Sequence, residues 1–103
     1  MAEVIWTDTA LNDIDAIAEY ISIDSQFYAT EFVKKVLTAS NELEKFAEIG
    51  KIVPELPSYD YREILFKRYR IIYLIKANIV YIISVHHSSR LLSSNENFAN
   101  FFE

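Results

Sequence analysis

YREILFKRYRIIYLIKANIVYIISVHHSSR, residues Tyr61–Arg90, holds three β-patterned runs: Tyr61–Phe66, Tyr69–Lys76 and Ile79–His86. Each is rich in Ile, Tyr, Val and Leu, the β-branched and aromatic types that suit a pleated, half-buried surface. Lys67-Arg68 joins the first two runs and Ala77-Asn78 joins the last two. Two-residue joins between strands make antiparallel hairpins. The block therefore reads as a three-stranded antiparallel meander.

The same block segregates charge. Arg62, Lys67, Arg68, Arg70, Lys76 and Arg90 are basic and only Glu63 is acidic, a local balance of +5 in a chain of net charge −5. The remaining residues carry −10. The acids concentrate in the first half, where residues 1–50 hold ten acidic and three basic side chains. That half reads as a solvated acidic face, with the sheet as the opposite, basic side.

Upstream of the meander, Lys51–Asp60 contains Pro54 and Pro57 and reads as a loop. Before it, Phe32, Val33, Val36, Leu37, Ser40, Leu43 and Phe46 recur at helical spacing. Asp24 or Ser25 is the N-cap of this helix, and Gly50, the only glycine, falls where a left-handed C-terminal cap is expected. An earlier helix carries Ala10, Leu11, Ile14, Ile17, Ala18 and Ile21, with Thr7 as its N-cap. The join between helices is too short for anything but an antiparallel hairpin. Glu3-Val4-Ile5-Trp6 is a short strand that needs a sheet to join, most simply the meander. The fold class is α+β, and the 103 residues suffice for one domain spanning 1–103.

Composition narrows the function classes. There is no cysteine, so neither a disulfide framework nor a thiolate zinc site is available. Two adjacent histidines do not make a metal site, and no cofactor or metal is expected. No run approaches the roughly 20 apolar residues of a membrane span. Glu3 lies in the apolar start and no basic flank precedes it, which reads as no signal peptide and a cytoplasmic protein without a membrane partner. Net charge −5 argues against nucleic-acid binding by the whole surface, though one basic face remains compatible with it.

Several short motifs, in this order and spacing, resemble the RelE/ParE toxins of bacterial type II toxin–antitoxin systems. They are W-T-x-x-A at Trp6–Ala10, Asp13-Ile14 to Tyr20-Ile21, Phe46 to Gly50-Lys51, and Val53-Pro54-Glu55-Leu56. They continue with Tyr61-Arg62-Glu63, Tyr69-Arg70-Ile71-Ile72-Tyr73 and Val85-x-His87-x-x-Arg90. The resemblance runs from residue 3 to about residue 92. It implies the RelE/ParE-like fold and a cognate antitoxin, ParD-like or of another type II class. The Y-R-E strand and V-x-H-x-x-R ending are more similar to the ParE and plasmid-stabilisation side, whose members poison DNA gyrase. RelE-like members instead cut messenger RNA on the ribosome. A member that has lost toxicity and acts as a binding module is a third possibility.

The resemblance also proposes residues. As a gyrase poison the chain would bind its target through Arg62, Arg70, His87 and Arg90, with no catalytic group of its own. As a nuclease it would draw on Lys51, Glu55, Arg62, Arg70, His87 and Arg90. Attack of a 2′-hydroxyl on phosphate needs a base, an acid, and cations on the developing charge. Histidine suits the acid or base role and arginine holds phosphate bidentately. That chemistry requires Arg62, Arg70 and His87 or Arg90 to converge on one phosphate. Phe98, Phe101 and Phe102 sit at i, i+3 and i+4, a spacing that suits a short terminal helix with an antitoxin-binding stripe.

Overall fold

The structure, a computed structural model, describes residues 2–56 and 60–89. Arg90 and the Phe98, Phe101 and Phe102 stripe lie outside the described residues. Strand β1 (Glu3–Trp6) leads through Thr7 into helix α1 (Asp8–Asp24). The Thr7 hydroxyl accepts the Ala10 N–H at 3.2 Å, the expected N-cap, and Asp8 puts a carboxylate in the first turn. Ser25 ends α1 and also caps helix α2 (Gln26–Lys45), accepting the Tyr28 N–H at 3.2 Å. One residue thus joins the two helices.

Four further strands follow: β2 (Lys51–Ile52), β3 (Tyr61–Phe66), β4 (Tyr69–Lys76) and β5 (Ile79–His87). The sheet order is β1-β5-β4-β3-β2. β3, β4 and β5 form the expected antiparallel meander, and β1 returns to it parallel to β5, Glu3 opposite Ile79 and Trp6 opposite Ile82. β2 lies within the span expected as a loop; it pairs with β3 for only two residues, Lys51 with Glu63 and Ile52 with Arg62. A run that short leaves no periodicity to read. The β4–β5 turn takes positive φ at both Ala77 (52°) and Asn78 (62°), the left-handed pair that a tight hairpin requires.

The two sheet faces carry different cores. On the helix side, Ile71, Tyr73, Val80, Ile82 and Val85 pack against Ala10, Ile14, Phe32, Val36 and Leu43. On the other face, Val53 and Leu56 of the β2–β3 connection cover Tyr61, Ile72 and Ile83. A β-bulge between Ile72 and Tyr73 shifts the β4–β5 register, pairing Tyr73 with Ile82 and Ile72 with Ser84. Beyond it, the Val85 N–H is accepted by the Asp13 carboxylate of α1 at 2.9 Å. Asp13 thus continues the edge of β5 past the point where β1 stops.

Gly50 is a departure from the sequence expectation. α2 ends at Phe46, four residues earlier, and no glycine takes a positive φ. What Gly50 supplies is room: a Cβ there would stand 2.6 Å from the Tyr73 hydroxyl and 2.7 Å from the Glu63 carbonyl. Leu37 and Phe46 also leave the expected apolar stripe and stand exposed, while Phe32, Val36, Ser40 and Leu43 stay buried.

Candidate functional site

The open face of the sheet carries a charged quartet. Arg70 on β4 and Glu63 on β3 share this face because strand side chains alternate. Arg70 Nε donates to Glu63 Oε1 at 2.6 Å. Its two terminal nitrogens donate to Glu55, Nη1 to Oε2 at 2.5 Å and Nη2 to Oε1 at 2.8 Å. Lys51 Nζ stands 3.7 Å from the second Glu63 oxygen. The Arg70 side chain is 6% exposed and Glu63 2%, so both charges are nearly out of water. The hydrogen bond to Glu55 raises the Arg70 pKa above its ordinary range, burial opposes this, and Glu63 adds to the rise. Within this group two acids stand against two cations, the pairing by which buried charges are tolerated.

Arg62 points the other way. It lies opposite Tyr73, on the helix side, and donates to the Gly50 carbonyl at 2.8 Å and the Glu48 carbonyl at 3.3 Å. Tyr73, fully buried, completes this knot: its hydroxyl accepts the Gly50 N–H and donates to the Ala47 carbonyl, both at 2.8 Å. Together they hold the segment between α2 and β2.

His87 is exposed at the end of β5, also on the helix side, opposite Tyr69. Its ring meets Tyr69 edge-on at 5.7 Å. Nδ1 accepts the Ser89 N–H at 3.2 Å, with the Ser89 hydroxyl 2.7 Å away, so a neutral ring carries its proton on Nε2. His86 alternates to the opposite face, buried beside Arg70.

The nuclease candidates are therefore distributed rather than gathered. Lys51, Glu55 and Arg70 meet on the open face. Arg62 and His87 lie on the helix face, four residues apart along β4 and on strands flanking it, about 16 Å from strand spacings. The convergence of Arg62, Arg70 and His87 that phosphate cleavage needs is not formed. Cations with more solvent gather at the β3–β4 turn. There the Lys67 ammonium meets that of Lys35 on α2, and this contact lowers the Lys67 pKa. Arg68 is exposed next to it, and its carbonyl accepts the Ser88 N–H beside His87.

Sequence reasoning passed over Glu63 and Asp13. Glu63 was the lone acid in a basic block, two residues from Tyr61 on the same face, a pattern that calls for a paired charge. Asp13 stands three residues after Ala10 and four before Ile17, on the flank of the buried stripe rather than on the solvated side.

A strand, a helical hairpin, and a meander rejoined by that first strand make the RelE/ParE-like toxin fold. Solved structures share it, among them two chains of toxin–antitoxin systems. A chain of the chromosomal ParDE system of P. aeruginosa superposes with TM-score 0.71 at 22% identity, covering 84% of this chain and 96% of that one. A chain of the RelBE2 toxin–antitoxin complex of Mycobacterium tuberculosis gives 0.61 at 21%, with coverage of 84% and 96%. In sequence, residues 4–92 match the family described as ParE toxin of type II toxin-antitoxin system, parDE. The chain is also 33% identical over 92 residues to Toxin RelE2 of Caulobacter vibrioides, across 88% of this chain and all of that protein. The chain belongs to the ParE toxin family and is a toxin of a type II toxin–antitoxin system. No helix among the described residues is long and apolar enough to cross a membrane.

Proposed function

We propose that this toxin inhibits DNA gyrase in the cytoplasm, without catalysing a reaction itself, and that a cognate antitoxin, ParD-like or of another type II class, neutralises it. The observation that carries this reading is the dispersal of the ionisable groups. General acid–base cleavage needs its groups within hydrogen-bond reach of one phosphate. Here Arg62 is committed to backbone carbonyls, Arg70 to two carboxylates, and His87 stands apart from both. A surface that binds a target needs no such convergence. The match to the parDE family leans the same way.

His87, with Arg68, Lys67 and the following Arg90, forms the target-binding end in this reading. Arg62 and Arg70 contribute by holding the segment between α2 and β2 and the β2–β3 connection in place. An antitoxin partner is supported by the solved relatives, one of which is a toxin–antitoxin complex. The helical hairpin and the sheet edges offer groove and strand-addition modes for it, and Phe98, Phe101 and Phe102 remain candidates for the same contact. A second reading, a ribosome-dependent endoribonuclease, is favoured by the likeness to a protein named Toxin RelE2.

The test is a gyrase supercoiling and DNA-cleavage assay with purified toxin and a His87→Ala/Arg90→Ala variant. Loss of supercoiling with trapped cleaved DNA, weakened in the variant, is the expected result. No effect at high toxin concentration refutes the gyrase reading and directs the search to cuts in translated message.

A further inference from the structure

A cleft of about 510 Å³ opens between α1 and the end of β5, with Asp13, Ile17, Tyr20, Tyr69, Val85 and His87 in its walls. Asp13, Ile17 and Tyr20 lie at i, i+4 and i+7, on one face of α1. Val85 and His87 alternate onto the helix side of β5, and Tyr69 stands opposite His87 on β4. The walls thus combine aliphatic surface, three aromatic rings and one carboxylate. Among the described residues, no Lys or Arg lines the cleft.

The carboxylate is held but not neutralised. Asp13 is half-buried, and its Oδ2 accepts the Val85 N–H at 2.9 Å, which fixes the group in place. Among the described residues, its other oxygen takes no hydrogen bond and no cation pairs with it. Tyr69 is braced by edge-on contacts with Phe32 at 5.0 Å and His87 at 5.7 Å, whereas Tyr20 is 73% exposed. A carboxylate beside aromatic rings suits a guanidinium, whose N–H donors meet the oxygen while its plane stacks on a ring. Ile17 and Val85 offer apolar surface to an aliphatic stem. The surroundings carry the same sign: α1 holds Asp8, Asp13, Asp15, Glu19 and Asp24 and no basic residue. Such a helix attracts basic segments and repels acidic ones.

We propose that the α1–β5 cleft is a docking site for an arginine side chain on a basic segment of a protein partner. Asp13 is its counter-charge, and Tyr20 and Tyr69 flank the guanidinium. The inference stands whether the toxin acts on gyrase or on the ribosome, because it concerns a cationic ligand and not the anionic target.

Amide NMR of the isotope-labelled full chain tests it. The probes are N-acetyl-arginine amide, the matching lysine and citrulline amides, and a peptide with one arginine flanked by lysines. The Val85 signal should shift saturably with the arginine probe, since its N–H bonds Asp13 directly. Asp13→Asn keeps an acceptor for that N–H and removes the charge, so it should bind about tenfold more weakly or worse. Tyr20→Ala, at an exposed position, should bind about two- to fivefold more weakly. The flanked peptide should bind more tightly than the single arginine, and added salt should erase that gain. No saturable Val85 shift in either wild type or Arg90→Ala overturns the site, and unchanged affinity in both Asp13→Asn and Tyr20→Ala overturns its placement. Citrulline or lysine binding as tightly as arginine overturns the guanidinium assignment. Equal affinity for the flanked peptide and the single arginine overturns the basic segment. Much tighter binding by Arg90→Ala than by wild type makes the chain's own Arg90 the occupant and overturns the partner.

Discussion

Gly50→Ala should destabilise the protein severely, although it adds only a single methyl group. The added Cβ would meet Tyr73 Oη at 2.6 Å, Tyr73 Cε1 at 2.7 Å and the Glu63 carbonyl at 2.7 Å. Neither neighbour can yield cheaply. Tyr73 is fully buried in the helix-side core, and Glu63 belongs to the strand that β2 pairs with. Overpacking of this kind costs about 1–3 kcal/mol. Moving Gly50 away also strains the 2.8 Å bonds it makes to the Tyr73 hydroxyl and to Arg62, each worth about 1 kcal/mol. The reduced freedom of the unfolded chain returns about 0.4–1 kcal/mol. The net is about 2–4 kcal/mol, a large share of the roughly 5–15 kcal/mol that stabilises a small domain. Urea unfolding followed by Trp6 fluorescence reads it, since Trp6 is the sole tryptophan and its indole donates to Ser40 at the sheet–helix interface. Tyr73→Phe should rescue little, because the ring carbon and the Glu63 carbonyl still block the methyl. A Gly50→Ala variant within about 0.5 kcal/mol of wild type would refute the close-approach account.

Arg70→Met should cost about 3–5 kcal/mol by stranding Glu63, whereas Lys51→Ala, at a 62% exposed side chain, should cost about 1 kcal/mol or less, both read from urea midpoints. Ala77→Gly should stabilise by about 0.5–1 kcal/mol, because Ala77 holds φ 52° in the hairpin turn, and an unchanged or lower midpoint would contradict this. Burial raises the Tyr73 pKa above its ordinary 10.0, against the opposing effects of the Gly50 N–H and Arg62. A raised folded-state pKa gives stability that is complete below pH 10 and lost as pH climbs through the folded value. Tyr73→Phe should therefore lower stability by about 1–3 kcal/mol at pH 7 yet flatten the alkaline decline, and parallel alkaline limbs would rule that out.

Strand alternation and helix N-caps are local properties, and these were the legible part. The meander strands, the Thr7 cap and most of the buried stripe of α2 follow from spacing alone, while spacing leaves Asp24 and Ser25 as alternatives for the second cap. What spacing does not carry is pairing across the chain. The role of Gly50 depends on Tyr73, 23 residues away, and the role of Asp13 on Val85, 72 residues away. The parallel return of β1 and the two-residue β2 likewise depend on where the sheet edge falls. Arg62 and Arg70 were recognisable as charges needing partners; which partners they take required the fold.

The basic block shows how charge along a chain differs from charge in space. Its balance of +5 suggests a cationic sheet face. In the folded protein, Arg70 is neutralised by carboxylates from two different segments, and Arg62 spends its donors on carbonyls. Lys76 lies at the far end of β4, beside the β4–β5 turn. Lys67 and Arg68 lie in the opposite turn, where Lys35 of the acidic half joins them and His87 emerges alongside. The positive potential is thus drawn out of the middle of the sheet and concentrated at the strand-exit end, since exposed charges further apart than about 10 Å are screened from one another. An anionic target would be drawn to that end first. If so, charge reversal at Lys67 and Arg68 should weaken target engagement and its salt dependence together, while reversal at Lys76 should leave both unchanged.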